Sequence, residues 1–196
     1  MDKWTQDKMQ RVAEEERAAL GVGEFEPFDP YELAKEYGIS VYSLGDLAED
    51  PRAAGAVAHF SQDGARLWSA ALIPVGDRRI ILENDTHLVV RRRSSIGHEL
   101  GHHLLEHPFD ALTLSDDRCR RFNAALEKQA TFFSGHLLIS EVAAKRAAFK
   151  GWSDEQVGDH FQVSAQFAQM RMHGVRVMAR RALAKQAHAR SGGGRS

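Results

Sequence analysis

One cysteine, Cys119, is all the chain offers in 196 residues. That excludes an intrachain disulfide framework and any cysteine-built structural zinc site. No run of about 18 apolar residues is present, so no membrane span is expected. Residues Met1 to Glu16 are polar and charged and hold no apolar stretch of an export signal. An excess of one charge is lacking too: 26 Lys and Arg face 27 Asp and Glu, a net charge of −1. The whole chain therefore makes no case for a nucleic-acid binder. What is present, 43% hydrophobic and 27% charged residues, fits one globular domain with at most a small appendage. The expectation is a reduced, cytoplasmic protein with no membrane partner. Ten histidines are many for this length, and their positions carry the information.

Trp4, Met9, Val12, Ala13 and Leu20 recur at helical spacing over 4–20, and Gly21 and Gly23 supply a stop. After a linker, Asp29 caps a short helix that opens on Pro30 and runs through Leu33, Ala34 and Tyr37 to Gly38. Ile39 to Tyr42 reads as a strand, and 45–54 as a polar loop. Ala56 to Phe60, Leu67 to Pro74 and Arg79 to Leu82 also read as strands, with turns at Ser61-Gln62-Asp63-Gly64 and Gly76-Asp77. Asn84-Asp85-Thr86 resembles a helix start, and one helix can run from there to about Glu106, stopped by Pro108. Residues 109–117 read as loop, and about 118–139 as a long helix rich in Ala, Phe and Leu. This pattern predicts an α+β fold, helix-rich, with a small, mainly antiparallel sheet.

The chemistry concentrates in His98-Glu99-Leu100-Gly101-His102. On a helix, positions i and i+4 share a face, so both imidazoles can point at one metal ion. Glu99 sits about 100° round the helix, beside the ion rather than on it, where it can take a proton from a water the metal activates. Zinc suits neutral imidazole and carboxylate ligands and needs a third protein ligand plus an open position. Glu127 on the next helix is the best third candidate, because Ala130, Thr131 and Ser134 share its face and are small enough to admit close approach. Phe132 and Phe133 read as core. The rivals fit less well. A longer motif with Gly at 105 and His at 108 is absent, since the chain has Leu105 and Pro108, and His107 is one residue out of that register. His136 lies roughly opposite Glu127 on a regular helix, and His103 points about 100° away from His102. Gly101 in mid-helix suggests a close neighbour. Arg91-Arg92-Arg93 reads as a solvated turn of helix.

With these residues in view, the stretch Arg93-Ser-Ser-Ile-Gly-His-Glu-Leu-Gly-His-His-Leu-Leu-Glu-His107, followed by Glu127-x-x-Ala130-x-x-Phe133-x-x-x-Leu137-Leu138, resembles the ImmA/IrrE family of bacterial metallopeptidases. Asp29-Pro30, Leu33-Ala34 and Gly38-Ile39-Ser40-Val41 match the helix and strand that open that domain. The resemblance implies a zincin-like domain over 25–145, one zinc ion per chain held by His98, His102 and Glu127, and Glu99 as general base. Manganese or another divalent ion is an alternative in vitro. It implies as substrate a helix-turn-helix repressor, cleaved to derepress stress or mobile-element genes. Where the family usually has Pro, this chain has Ser140, which is expected to weaken the helix stop there.

The tail differs from the body. Arg171 to Ser196 holds seven Lys and Arg and no acid, leaving 19 basic against 27 acidic residues in 1–170. Ser153 and Gln156 form a capping-box pattern, with a turn at Phe161-Gln162-Val163 and a second helix capped by Ser164. This is a helix-turn-helix-like appendage over 150–190, after an N-terminal helical segment over 1–24 and before a flexible tail, 191–196. Its helices can pack on the body, dock the repressor, or make weak DNA contact. The alternative to an enzyme is thus a DNA-binding or regulatory protein with a vestigial metal site. An intact Glu99 argues against it, because a metal-holding relic has no need of a general base.

Overall fold

The computed structural model describes residues 4–62, 64–65, 67–108 and 123–192. Thr5 begins the first element: its side chain accepts from Lys8 N, opening α1 (Gln6–Ala19), whose Met9, Ala13 and Arg17 are buried at helical spacing. Asp29 accepts from Tyr31 N and starts α2 (Pro30–Glu36) with Pro30 in its first turn. β1 (Ser40–Ser43) follows Gly38, which turns the chain at φ +64°. β2 (Ala70–Val75) and β3 (Arg78–Glu83) form a hairpin through Gly76-Asp77. The strand order is β1-β3-β2, with β3 parallel to β1 and antiparallel to β2. The fold is α+β and helix-rich, and its small sheet is mixed. Pro74 lies on the edge strand β2, where a missing N–H breaks no central ladder.

Three local readings differ from the structure. Residues 54–61 are helical, α3 (Ala54–Ser61), rather than a strand. Alternating apolar residues fit either period over so short a run, and three alanines favour helix where no strand offers pairing. Asn84 does not cap a helix. It is fully buried, its Oδ1 accepts from Thr86 N and Oγ1, and its Nδ2 donates to the Phe60 and Trp68 carbonyls. It locks a loop, and α4 (Val89–Leu104) begins only at Val89. The arginine run is solvated only at Arg91. Arg92 pairs with the buried Glu83, and Arg93 is buried, donating to the Phe28 and Gln162 carbonyls.

α5 (Ala124–Leu138) starts at Asn123, whose side chain accepts from Ala125 and Leu126 N; residues 109–122, including Cys119 and the expected loop and helix start, lie outside the described chain. α5 ends without a proline. Ser140 caps the next helix instead, accepting from Ala143 N at the start of α6 (Glu141–Phe149), an element the sequence reading missed, and donating to Glu24 O. The expected capping box at Ser153 and Gln156 opens α7 (Asp154–Phe161), and α8 (Ala165–Gly192) follows a turn in which Gln162 is left-handed at φ +56°. Residues 193–196 lie outside the described chain. Phe161, Val163, Ala168 and Met172 enter the same buried cluster as Met9, Leu33, Ile81, Leu100 and Phe133, so the two-helix unit packs on the body.

α4 packs on the sheet and on α5. Gly97 faces Leu138 and Gly101 faces Ala130, so the two helices run in opposite directions. A Cβ at Gly101 would stand 3.1 Å from Ala130 O and 3.2 Å from its Cα. Backbone cannot swing aside as a side chain can, so the bare Gly101 sets this helix spacing. Gly101→Leu is expected to cost about 1–3 kcal/mol through overpacking, outweighing the gain of about 1 kcal/mol in helix propensity. A urea midpoint at or above wild type would contradict that close approach.

Candidate metal centre

The i, i+4 spacing on α4 brings His98 Nε2 and His102 Nε2 to 3.2 Å of one another. Glu127, in the first turn of α5, meets both: Oε2 is 3.0 Å from His98 Nε2 and Oε1 is 3.5 Å from His102 Nε2. One ligand atom from each residue lies within 4.8 Å of the others, so this cluster could hold a metal ion. The donor set, two imidazole nitrogens and a carboxylate, is one that a divalent transition ion accepts while keeping a fourth position. The side chains of His98, His102 and Glu127 remain 25%, 17% and 28% exposed, so that position is reachable from solvent. The three expected ligands therefore converge, held by the close approach at Gly101 and Ala130.

Glu99 is buried, and its Oε2 accepts from Leu72 N at 2.9 Å. The edge strand β2 thus holds the carboxylate that follows His98 and fixes its orientation beside the cluster.

His107 belongs to the centre in a way the sequence did not disclose. α4 ends in a turn where Glu106 N bonds to His103 O and His107 N bonds to His102 O, with Glu106 left-handed at φ +51°. No glycine marks this reversal, which is why spacing made His107 look like a ligand out of register. The turn instead brings His107 Nδ1 to 3.0 Å from His102 Nδ1, on the ring edge opposite the ligand atom, and His107 Nε2 to 3.0 Å from Gln129 Oε1. Burial lowers the pKa of His107, against the raising effects of Gln129 and Glu127.

The other candidates face elsewhere. Arg79 donates to His103 Nδ1, and the His103 ring meets Tyr37 edge-on. Tyr31 and Tyr37 donate to Glu83 and Glu16. His59 packs on Phe60. Phe133 is fully buried as expected, and Phe132, partly buried against the same core, also lines a cavity of about 490 Å³ between α5 and α8. Glu127 and Thr131 stand at one side of that cavity, His136, Met170 and Arg171 at the other. The basic run is partly internal. Arg171 donates to the Gly135 and Ile139 carbonyls and to Glu141, and Arg176 to Asp154 and the Trp152 carbonyl.

Fold and geometry together place a cluster that could hold one metal ion, with an anchored carboxylate beside it, on a helix held between a sheet edge and a second helix. The chain belongs to the peptidase M78 family, whose model, described as the IrrE N-terminal-like domain, matches residues 34–173. That match covers both helices of the centre, and it gives the protein a peptidase role. No curated protein matches the chain. Among the described residues, no helix is long and apolar enough to cross a membrane.

His136 carries a pH signature. Burial and the adjacent Arg171 push its pKa down from 6.5 to about 4, against the opposing pull of Glu141. The folded state therefore keeps it neutral where the unfolded chain takes up a proton. Its contribution is complete above pH 6.5 and is lost as pH falls toward 4, on the order of 3 kcal/mol. Wild type should lose stability through that window in urea titrations, and His136→Gln should flatten the loss. Equal slopes for the two proteins would assign the acid sensitivity to other groups.

Proposed function

We propose that this chain is a zinc-dependent endopeptidase that cleaves a helix-turn-helix transcriptional repressor in the cytoplasm, relieving repression of stress or mobile-element genes. The convergence of His98, His102 and Glu127, with Glu99 pinned beside them, carries the reading. Zinc held there supplies Lewis acidity toward the scissile carbonyl and lowers the pKa of the attacking water to near neutrality. The chain's own residues do the rest. Leu72 N–H holds Glu99 Oε2 and so orients the carboxylate that receives the water's proton and returns it to the leaving amine. Gly101 lets α5 come close enough for Glu127 to close the ligand set. The cavity beside Glu127, mainly apolar in its lining, suits an apolar side chain of the bound repressor.

DNA contact by the C-terminal helix has less support. Arg171 and Arg176 are tied into the fold, which leaves Arg180, Arg181 and Lys185 exposed on that stretch of α8.

Purified protein is expected to carry about one zinc per chain and to cleave the helix-turn-helix regulator encoded beside its gene. Glu99→Gln keeps an acceptor for Leu72 N–H, so it should retain the metal while cleavage falls by about 10²–10⁴. Cleavage that is equal in wild type and Glu99→Gln, or absent from both, sinks the enzyme reading. Thr131→Phe, which fills the cavity, should retain metal but shift cleavage toward sites with smaller side chains. An unchanged set of product termini would remove the cavity from substrate recognition.

A further inference from the structure

His102 offers two ring nitrogens, and only one can face an ion. Nε2 turns to His98 and Glu127, while Nδ1 faces His107 Nδ1 at 3.0 Å. Two neutral imidazoles that meet through Nδ1 share one proton between those atoms. Which ring carries it is decided one step further out. Gln129 Oε1 can only accept, so His107 Nε2, at 3.0 Å, is the donor in that contact. A neutral His107 with its proton on Nε2 has a bare Nδ1. His102 must then donate from Nδ1, which leaves its Nε2 lone pair bare and aimed at the ligand cluster. His107 is buried at 4% exposure, so these two contacts fix its ring in place.

We propose that His107 and Gln129 are positioning residues that hold His102 in its Nδ1–H form and so set the affinity of the centre for its ion. This rests on the metal reading given above. The orientation runs from α5 through the turn after α4 and back to α4, so the helix that brings Glu127 also prepares His102. The left-handed Glu106 supports the same reading. A non-glycine residue there costs about 1–2 kcal/mol, and the turn it permits is what returns His107 beneath His102.

The test uses the full chain in two measurements. Long-range proton–nitrogen NMR of the metal-free, histidine-labelled protein should show His102 protonated on Nδ1 and His107 on Nε2. Chelator competition should show His107→Leu binding zinc about 10- to 100-fold more weakly than wild type. His107→Asn, which keeps an acceptor oxygen near Nδ1, should recover most of that loss, and Gln129→Leu should fall between. A role in packing alone predicts no rescue by Asn. A His107 protonated on Nδ1, or a folded His107→Leu that holds zinc as tightly as wild type, overturns the proposal. A wild type that binds no zinc defeats the metal reading instead, and the metal-free spectrum then decides the tautomers by itself.

Discussion

Everything at the centre depends on how closely α4 and α5 approach at Gly101 and Ala130. The two histidines are one helical turn apart whatever the rest of the chain does, but Glu127 and Gln129 come from another helix. Their distance from the imidazoles is the distance between helix axes. Gly101, Ala130 and the buried Ser134 keep that distance short. Around them Ile96, Leu100, Phe133 and Leu137 are fully buried and hold the pair together from behind. The sheet acts on the other flank, where Leu72 N–H fixes Glu99.

What was legible in the sequence was local. Asp29, Ser153 and Ser164 announce helix starts because capping chemistry is written in neighbouring residues, and His98 and His102 share a face by helical period alone. Glu127 was reachable because small residues lined its face. The misses are longer-range or short of signal. Ala54–Ser61 is too brief for its period to separate helix from strand, and Asn84 turned out to serve carbonyls of two earlier segments. His107 needed a left-handed residue that is not glycine. The burial of Arg93 needed a partner 69 positions away. None of these leaves a mark within one helical turn.

Two arginines, Arg17 and Arg171, replace the signals a reader would look for at the end of α5. Arg17 donates to Leu137, Gly23 and Glu26 carbonyls, and Arg171 to those of Gly135 and Ile139. Both serve the C-terminal turn of α5, where carbonyls lack helical partners and the helix dipole favours a cation. Burial lowers the pKa of each, yet a guanidinium stays charged and brings five donors in a fixed fork. α5 can therefore stop at Leu138 with Ser140 where a proline would otherwise serve.

Arg93 has a different reach. It lies five positions before His98 on the same helix, and its guanidinium spans Phe28 O and the Gln162 carbonyl in the α7–α8 turn. The appended helices are thus the lid over a cation embedded in the helix that bears the histidines. A shortened chain ending after α6 would strip that cover and leave the arginine with one of its two carbonyls, that of Phe28. The two-helix unit is in this sense packed into the body that carries the histidines, through the shared buried cluster as well as through Arg93.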